Sequence, residues 1–159
     1  ELLSLKKNFM IILEKKFEKK NEYHKLIDTP LSIKQISKKT LLDFSSWKQM
    51  KNDIIEKKIK VALLINSDEE FNLDKKDLKN LSMIQINFLS FKDGRPYSYA
   101  KELRRNLNYE GEIRASGNIL PDQYVFLLRQ GFNTVEIDET QKHVWIELLE
   151  LDEGDYYQP

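Results

Sequence analysis

From Thr40 onward, blocks of apolar and polar residues predict strands and helices in turn. Leu41 to Phe44 reads as a short strand, and Ser45-Ser46 as the cap of a helix reaching about Lys58. Val61 to Ile65 is a strand, Asp74 to Leu81 a short helix and Met83 to Phe88 a second clear strand. A loop, Leu89 to Pro96, leads into a helix from Tyr97 to Leu107. The strand Glu112 to Ser116 follows, then a turn at Gly117 and a helix opening near Pro121, where proline suits the first turn. Gly131 is a natural stop for that helix. Thr134 to Ile137 is the last strand, and Glu139 to Leu151 the last helix. Single helices between strands predict βα units and a parallel sheet.

The strands also say which kind of sheet. A sheet covered on both faces has strands that are apolar throughout. Val61 to Ile65 fits that, but the next three do not. Ile84, Ile86 and Phe88 alternate with Gln85 and Asn87; Ile113 and Ala115 alternate with Glu112, Arg114 and Ser116; Val135 and Ile137 alternate with Thr134 and Glu136. One polar face across three strands predicts helices on one side only and a concave polar interior. The expected fold is α/β, with parallel βα repeats forming a partial (half) TIM-barrel-like sheet; a flavodoxin-like sheet is the alternative. Residues 1–39 are expected to form an N-terminal extension or edge-covering segment, and residues 40–159 the α/β domain. Leu2, Leu5, Phe9, Ile12 and Leu13 fit helical spacing, but Phe9 to Leu13 fits a strand equally. A half-barrel has an open edge, which this segment or a second subunit must cover.

Composition narrows the chemistry. The 159-residue chain has no cysteine and two histidines, His24 and His143. Disulfides, thiol catalysis and iron–sulfur ligation are excluded, and neither metal nor haem ligation is expected. No apolar run reaches the length of a membrane span, so the expected location is the cytoplasm, without membrane contact. Net charge is zero but polarised: residues 1–60 carry 15 lysines against 8 acidic residues, and residues 131–159 carry 1 against 8. The lysines at 15–25 alternate with Glu14, Glu18 and Glu22, and no arginine or aromatic ladder accompanies them. That pattern is a solvated face rather than a nucleic-acid site.

All five arginines lie between Arg95 and Arg129, and four of the five glycines lie between Gly94 and Gly131. Arginine offers a planar fork for carboxylates and oxyanions, and glycine permits tight turns. Ligands of parallel α/β sheets bind at the C-terminal ends of strands. The candidate anion- or partner-binding residues are therefore Lys92, Asp93, Arg95, Tyr97, Ser98, Arg104, Glu112, Arg114, Asn118, Asp122 and Gln123. Asp93 is expected to orient Arg95 or Arg104, and Arg114 to lie near Glu112 and Glu136. Arg129 is assigned only to the end of its helix. No Walker loop, Rossmann glycine pattern, HExxH or GxSxG occurs.

Several of these residues recur in order in Phe91-Lys92-Asp93-Gly94-Arg95-Pro96-Tyr97-Ser98, Ala100, Leu103-Arg104, Gly111-Glu112-Ile113-Arg114-Ala115-Ser116-Gly117, Asp122-Gln123 and Arg129-Gln130-Gly131-Phe132. In this the chain resembles the bacterial domain-of-unknown-function family 934, from about Leu41 to Ile137 and again at the tail Tyr157-Gln158-Pro159. The family is labelled an oxidoreductase of sulfite reduction, from gene neighbourhood with sulfite reductase and sulfate-assimilation genes. The resemblance implies a role in assimilatory sulfate reduction toward cysteine. The chain departs from many relatives at Gln130, where they carry cysteine, and at Asn118, where they carry aspartate. The first expectation is an accessory protein that binds sulfite reductase, its electron donor or an oxyanion through an arginine-rich rim. An enzyme acting on a phosphorylated or sulfated small molecule, with flavin or nicotinamide as an open question, is the alternative. A structural homodimer without ligand is a third.

Overall fold

The computed structural model describes residues 9–26, 32–70 and 72–157. Among the described residues eight strands form one sheet: β1 (Met10–Glu14), β2 (Phe17–Lys19), β3 (His24–Lys25), β4 (Thr40–Asp43), β5 (Val61–Asn66), β6 (Leu81–Phe88), β7 (Glu112–Gly117) and β8 (Thr134–Asp138). Their order is β2-β1-β8-β7-β6-β5-β4-β3. β3 to β8 are parallel and lie side by side in chain order. A flavodoxin-like sheet reverses its strand order part-way; this one does not, and the half-barrel is the fold. β1 joins antiparallel to β8, with Ile12 opposite Glu136, and covers that edge. β2 folds back on β1.

The helices are α1 (Phe44–Glu56), α2 (Lys75–Leu78), α3 (Arg95–Lys101), α4 (Tyr124–Gln130) and α5 (Lys142–Tyr157). Asp43, not Ser45 or Ser46, caps α1, its carboxylate accepting the Ser46 N–H at 2.8 Å. The short helix expected at Asp74 to Leu81 ends at Leu78, because Leu81 already belongs to β6. α3 continues as one π turn over Glu102–Asn106, closed by Leu107 N–H on the Glu102 carbonyl at 3.1 Å. Pro121–Gln123 and Glu139–Gln141 are 3₁₀ turns that lead into α4 and α5. Gly131 ends α4 at φ +115°, a left-handed conformation that glycine adopts without strain.

The main core lies between the sheet and its helices. Ile84, Ile86 and Phe88 of β6 and Ile113 and Ala115 of β7 meet Trp47, Ala100, Leu103, Leu127 and Trp145. A smaller cluster of Leu41, Ala62 and Met83 fills the opposite, concave face near β4 and β5, with Tyr23 and Leu64 packed on it. The concave face is thus apolar near β4 and β5 and polar from Gln85 of β6 across β7 and β8, the three strands whose alternation predicts it.

The N-terminal segment fixes the curl. β2 and β3 stand at opposite edges of the sheet, yet four residues join them. Eight strands laid flat would put the edges roughly 34 Å apart, at about 4.8 Å per strand. A link of that length spans at most about 17 Å. The sheet must therefore bend until its edges approach, and Lys20 to Tyr23 straps the mouth of the curl. Strands 10–25 belong to the same sheet as the rest.

Candidate functional site

Arg114 sits in the middle of β7 on the concave face and is 1% exposed. Such a cation needs several partners. Its Nη2 and Nε donate to Glu112 Oε2 at 2.8 and 3.2 Å, and its Nη1 donates to Asn21 Oδ1 at 3.1 Å. The guanidinium also lies 5.7 Å from the Tyr23 ring. Glu112 further accepts from Thr134 Oγ1 at 2.8 Å and Lys19 Nζ at 2.7 Å. Burial acts to raise the Glu112 pKa, but Lys19, Arg114 and Thr134 together hold it below the ordinary value of 4.5. Among the described residues Glu136 makes no hydrogen bond or ion pair with Arg114. The strap supplies Asn21 and Tyr23 in its place.

Toward the C-terminal ends of the strands a row of neutral polar groups follows. Asn87 Nδ2 donates to Asn66 Oδ1 at 3.0 Å, and Ser116 Oγ donates to Asn87 Oδ1 at 3.2 Å. Gly117, at φ +85°, ends β7 beside them; a side chain there would run into the Asn87 amide and the Phe88 carbonyl. Gln85, opposite Arg114 in the register, is 6% exposed, and its Oε1 has no hydrogen-bond partner among the described residues. This face offers amides and hydroxyls above a neutralised ion pair, which is chemistry for hydrogen bonding.

The rim beyond it is built from two loops tied to each other. After β6, Leu89 N–H donates to Ser67 Oγ at 3.1 Å. After β7, Asn118 Nδ2 donates to the Leu89 carbonyl at 2.8 Å, and Gln123 Nε2 to the Phe91 carbonyl at 2.9 Å. Gln123 Oε1 accepts the Leu120 N–H at 2.9 Å, so one side chain braces both loops. Both bonds to the first loop need a side-chain donor; an ionised aspartate at position 118 could not make the first.

Asp93 and Arg95 form a fork at the start of α3. Asp93 Oδ1 accepts Arg95 N–H at 3.0 Å and Nε at 2.9 Å, and Oδ2 accepts Nη2 at 2.8 Å. The Arg95 side chain stays 56% exposed. These bonds, with Ser67 assisting, hold the Asp93 carboxyl well below the usual range. Around this fork four apolar side chains face solvent: Leu89, Phe91, Leu120 and Phe126, each 41 to 49% exposed. Tyr97 packs on Phe126, Phe88 and Phe132 with ring centroids 4.8, 5.5 and 6.3 Å away, and burial pushes its hydroxyl pKa up.

The structure thus brings Lys92, Asp93, Arg95, Tyr97, Asn118 and Gln123 to one rim, with Ser98 exposed on α3 and Asp122 exposed in the 3₁₀ turn. Arg104 lies elsewhere. Its donors go to the carbonyls of Tyr109, Gly111 and Gly131 at 2.7 to 3.0 Å, and to Asn133 Oδ1. Those residues precede β7 and β8, at the opposite end of the strands from Arg95. Asp93 therefore orients Arg95, and Arg95, Arg104 and Arg114 occupy three separate places. Arg129 pairs loosely with Asp152 at 3.5 Å. Residues that the sequence reading left out are Asn66, Ser67, Gln85 and Asn87 on the concave side, the strap residues Asn21 and Tyr23, and the exposed apolar set. Their signal was polarity at alternate positions of the strands and apolar residues in the loops after β6 and β7.

The model of the bacterial protein of unknown function (DUF934) family matches residues 62–159. The chain belongs to this family. No curated protein and no solved structure matches it. The DUF934 match begins in β5, later than the resemblance from Leu41 suggested, and holds the whole rim, Gln85, Glu112 and Arg114. The strap that completes the Arg114 layer lies outside the matched DUF934 span.

Proposed function

We propose that this chain is an accessory protein of assimilatory sulfate and sulfite reduction, acting in the cytoplasm, and that it docks on sulfite reductase through its C-terminal rim. The carrying observation is the set Leu89, Phe91 and Leu120, exposed on two loops that Asn118 and Gln123 tie together beside Arg95, with Phe126 exposed on the adjoining helix α4. Aromatic anchors next to arginine, on backbone already held in place, are the composition of binding hot spots. The pathway rests on the family resemblance, and the mode of action on the rim. The electron donor of sulfite reductase is the second partner to test.

The arrangement favours a binding role over an arginine-clamped substrate, because the three arginines of such a clamp stand apart. The role is tested by growth of a strain whose only copy carries Phe91→Asp and Leu120→Asp. Growth on sulfate should fail while growth on cysteine stays normal. Full growth on sulfate overturns the reading.

A further inference from the structure

At the end of the half-barrel opposite the rim, the strap leaves a cleft of about 720 Å³. Lys20, Lys38, Lys39 and Lys60 line it, with Tyr23 and Ser82. An adjoining cleft of about 670 Å³ shares Lys60 and Ser82 and adds Lys75 and Lys79. The six lysines come from four separate stretches: the strap, the loop before β4, the end of the α1–β5 link, and α2 with its C-cap. No local lysine run accounts for their meeting here; folding brings them together.

Among the described residues that line the two clefts, little opposes their charge. Glu22 lines the first cleft and Glu110 the second. The ion pairs recorded among the described residues engage Lys16, Lys19, Lys51 and Lys142 in place of these six. Like charges around a concave, low-dielectric wall focus a positive potential into it. The volume is that of a small-molecule site. Neutral hydrogen-bonding groups stand at the same place, where Tyr23 Oη and Ser82 Oγ are 3.1 Å apart. Asn21 Oδ1 accepts from Arg114 Nη1 and from the Tyr23 N–H, which leaves its amide N–H groups as donors.

We propose that this basic cleft binds a small molecule carrying two or more phosphate groups. A single phosphate would meet part of the lysine ring, whereas a chain of phosphates spans it. Because Asn21 and Tyr23 also contact Arg114, an occupant braces the strap over the curl, and binding raises the stability of the whole chain.

The test is calorimetric titration of the full chain with inorganic triphosphate and with inorganic phosphate, paired with thermal melts. Triphosphate should bind at least tenfold more tightly than phosphate and raise the melting temperature by several degrees. Lys38→Gln with Lys60→Gln should weaken triphosphate at least tenfold without changing the unliganded melting temperature. The control pair Lys48→Gln with Lys101→Gln, outside both clefts, should bind as the wild type does. Absence of triphosphate binding, or equal losses in the two double variants, overturns the proposal. A short oligonucleotide that needs Lys38 and Lys60 and binds more tightly than triphosphate also overturns it, since the occupant would then be nucleic acid.

Discussion

Arg114 Nη2 and Glu112 Oε2 lie 2.8 Å apart inside the curl of the sheet, on alternate residues of one strand. Both side chains point to the concave face because strand residues two apart share a face. The pair is closed by Lys19 at the end of β2, by Asn21 of the strap and by Thr134 of β8. It joins the matched part of the chain to the segment before it.

Removing one partner leaves the other buried. Arg114→Ala should therefore cost about 3 kcal/mol of folding stability, the usual penalty for an orphaned buried ion. Urea unfolding of the purified variant measures it, and a loss below about 1 kcal/mol would show that the strap does not depend on this cation. The same variant is a poor probe of function, since a growth defect would follow from instability alone.

The sign of the acid response follows from Glu112. Its folded-state pKa is depressed, so its contribution is complete above the ordinary value of 4.5 and is lost as pH falls below that through the folded value. Asp93 acts in the same direction. Stability measured between pH 6 and 3 should fall with acid, and Glu112→Gln should flatten that fall. An unchanged slope in the variant would remove Glu112 from the account.

The Arg104 clamp makes a separate demand. A lysine cannot reach the carbonyls of Tyr109, Gly111 and Gly131 at once, so Arg104→Lys should cost about 2 kcal/mol, within the range for hydrogen bonds to charged groups. Gly131→Ala should destabilise by about 1 kcal/mol or more, from its positive φ and from crowding of the Arg104 side chain. Denaturant midpoints of the two variants check both.

The half-barrel was legible because β6, β7 and β8 alternate apolar and polar residues, which only a sheet with helices on one side requires. The N-terminal strands were not. Phe9 to Leu13 suits a helix or a strand equally, and β2 and β3 are too short to carry a period, so tertiary pairing decides them. Alternation put Arg114 on the right face beside Glu112, but could not supply its remaining partners, which depend on register and on a strap 93 residues away. The rim was half legible. Polar and glycine residues after β6 and β7 marked it, whereas the exposure of Leu89, Phe91, Leu120 and Phe126 depends on which apolar side chains the core leaves outside. Leu2 and Leu5, read as the start of a helical spacing, lie outside the described residues.

The rim should tolerate substitution as far as folding is concerned. Phe91→Asp and Leu120→Asp replace exposed side chains whose recorded hydrogen bonds run through the backbone. Each should move stability by no more than about 0.5 kcal/mol. Thermal melts establish this before any binding experiment, and a larger loss would make the patch part of the core.

The central claim is the docking role of that patch, and titration calorimetry with purified sulfite reductase tests it most directly. The wild-type chain should bind, and the Phe91→Asp/Leu120→Asp variant should bind at least tenfold more weakly with an unchanged melting temperature. Equal affinity of the two proteins, or no binding to sulfite reductase or to its electron donor, would contradict the account.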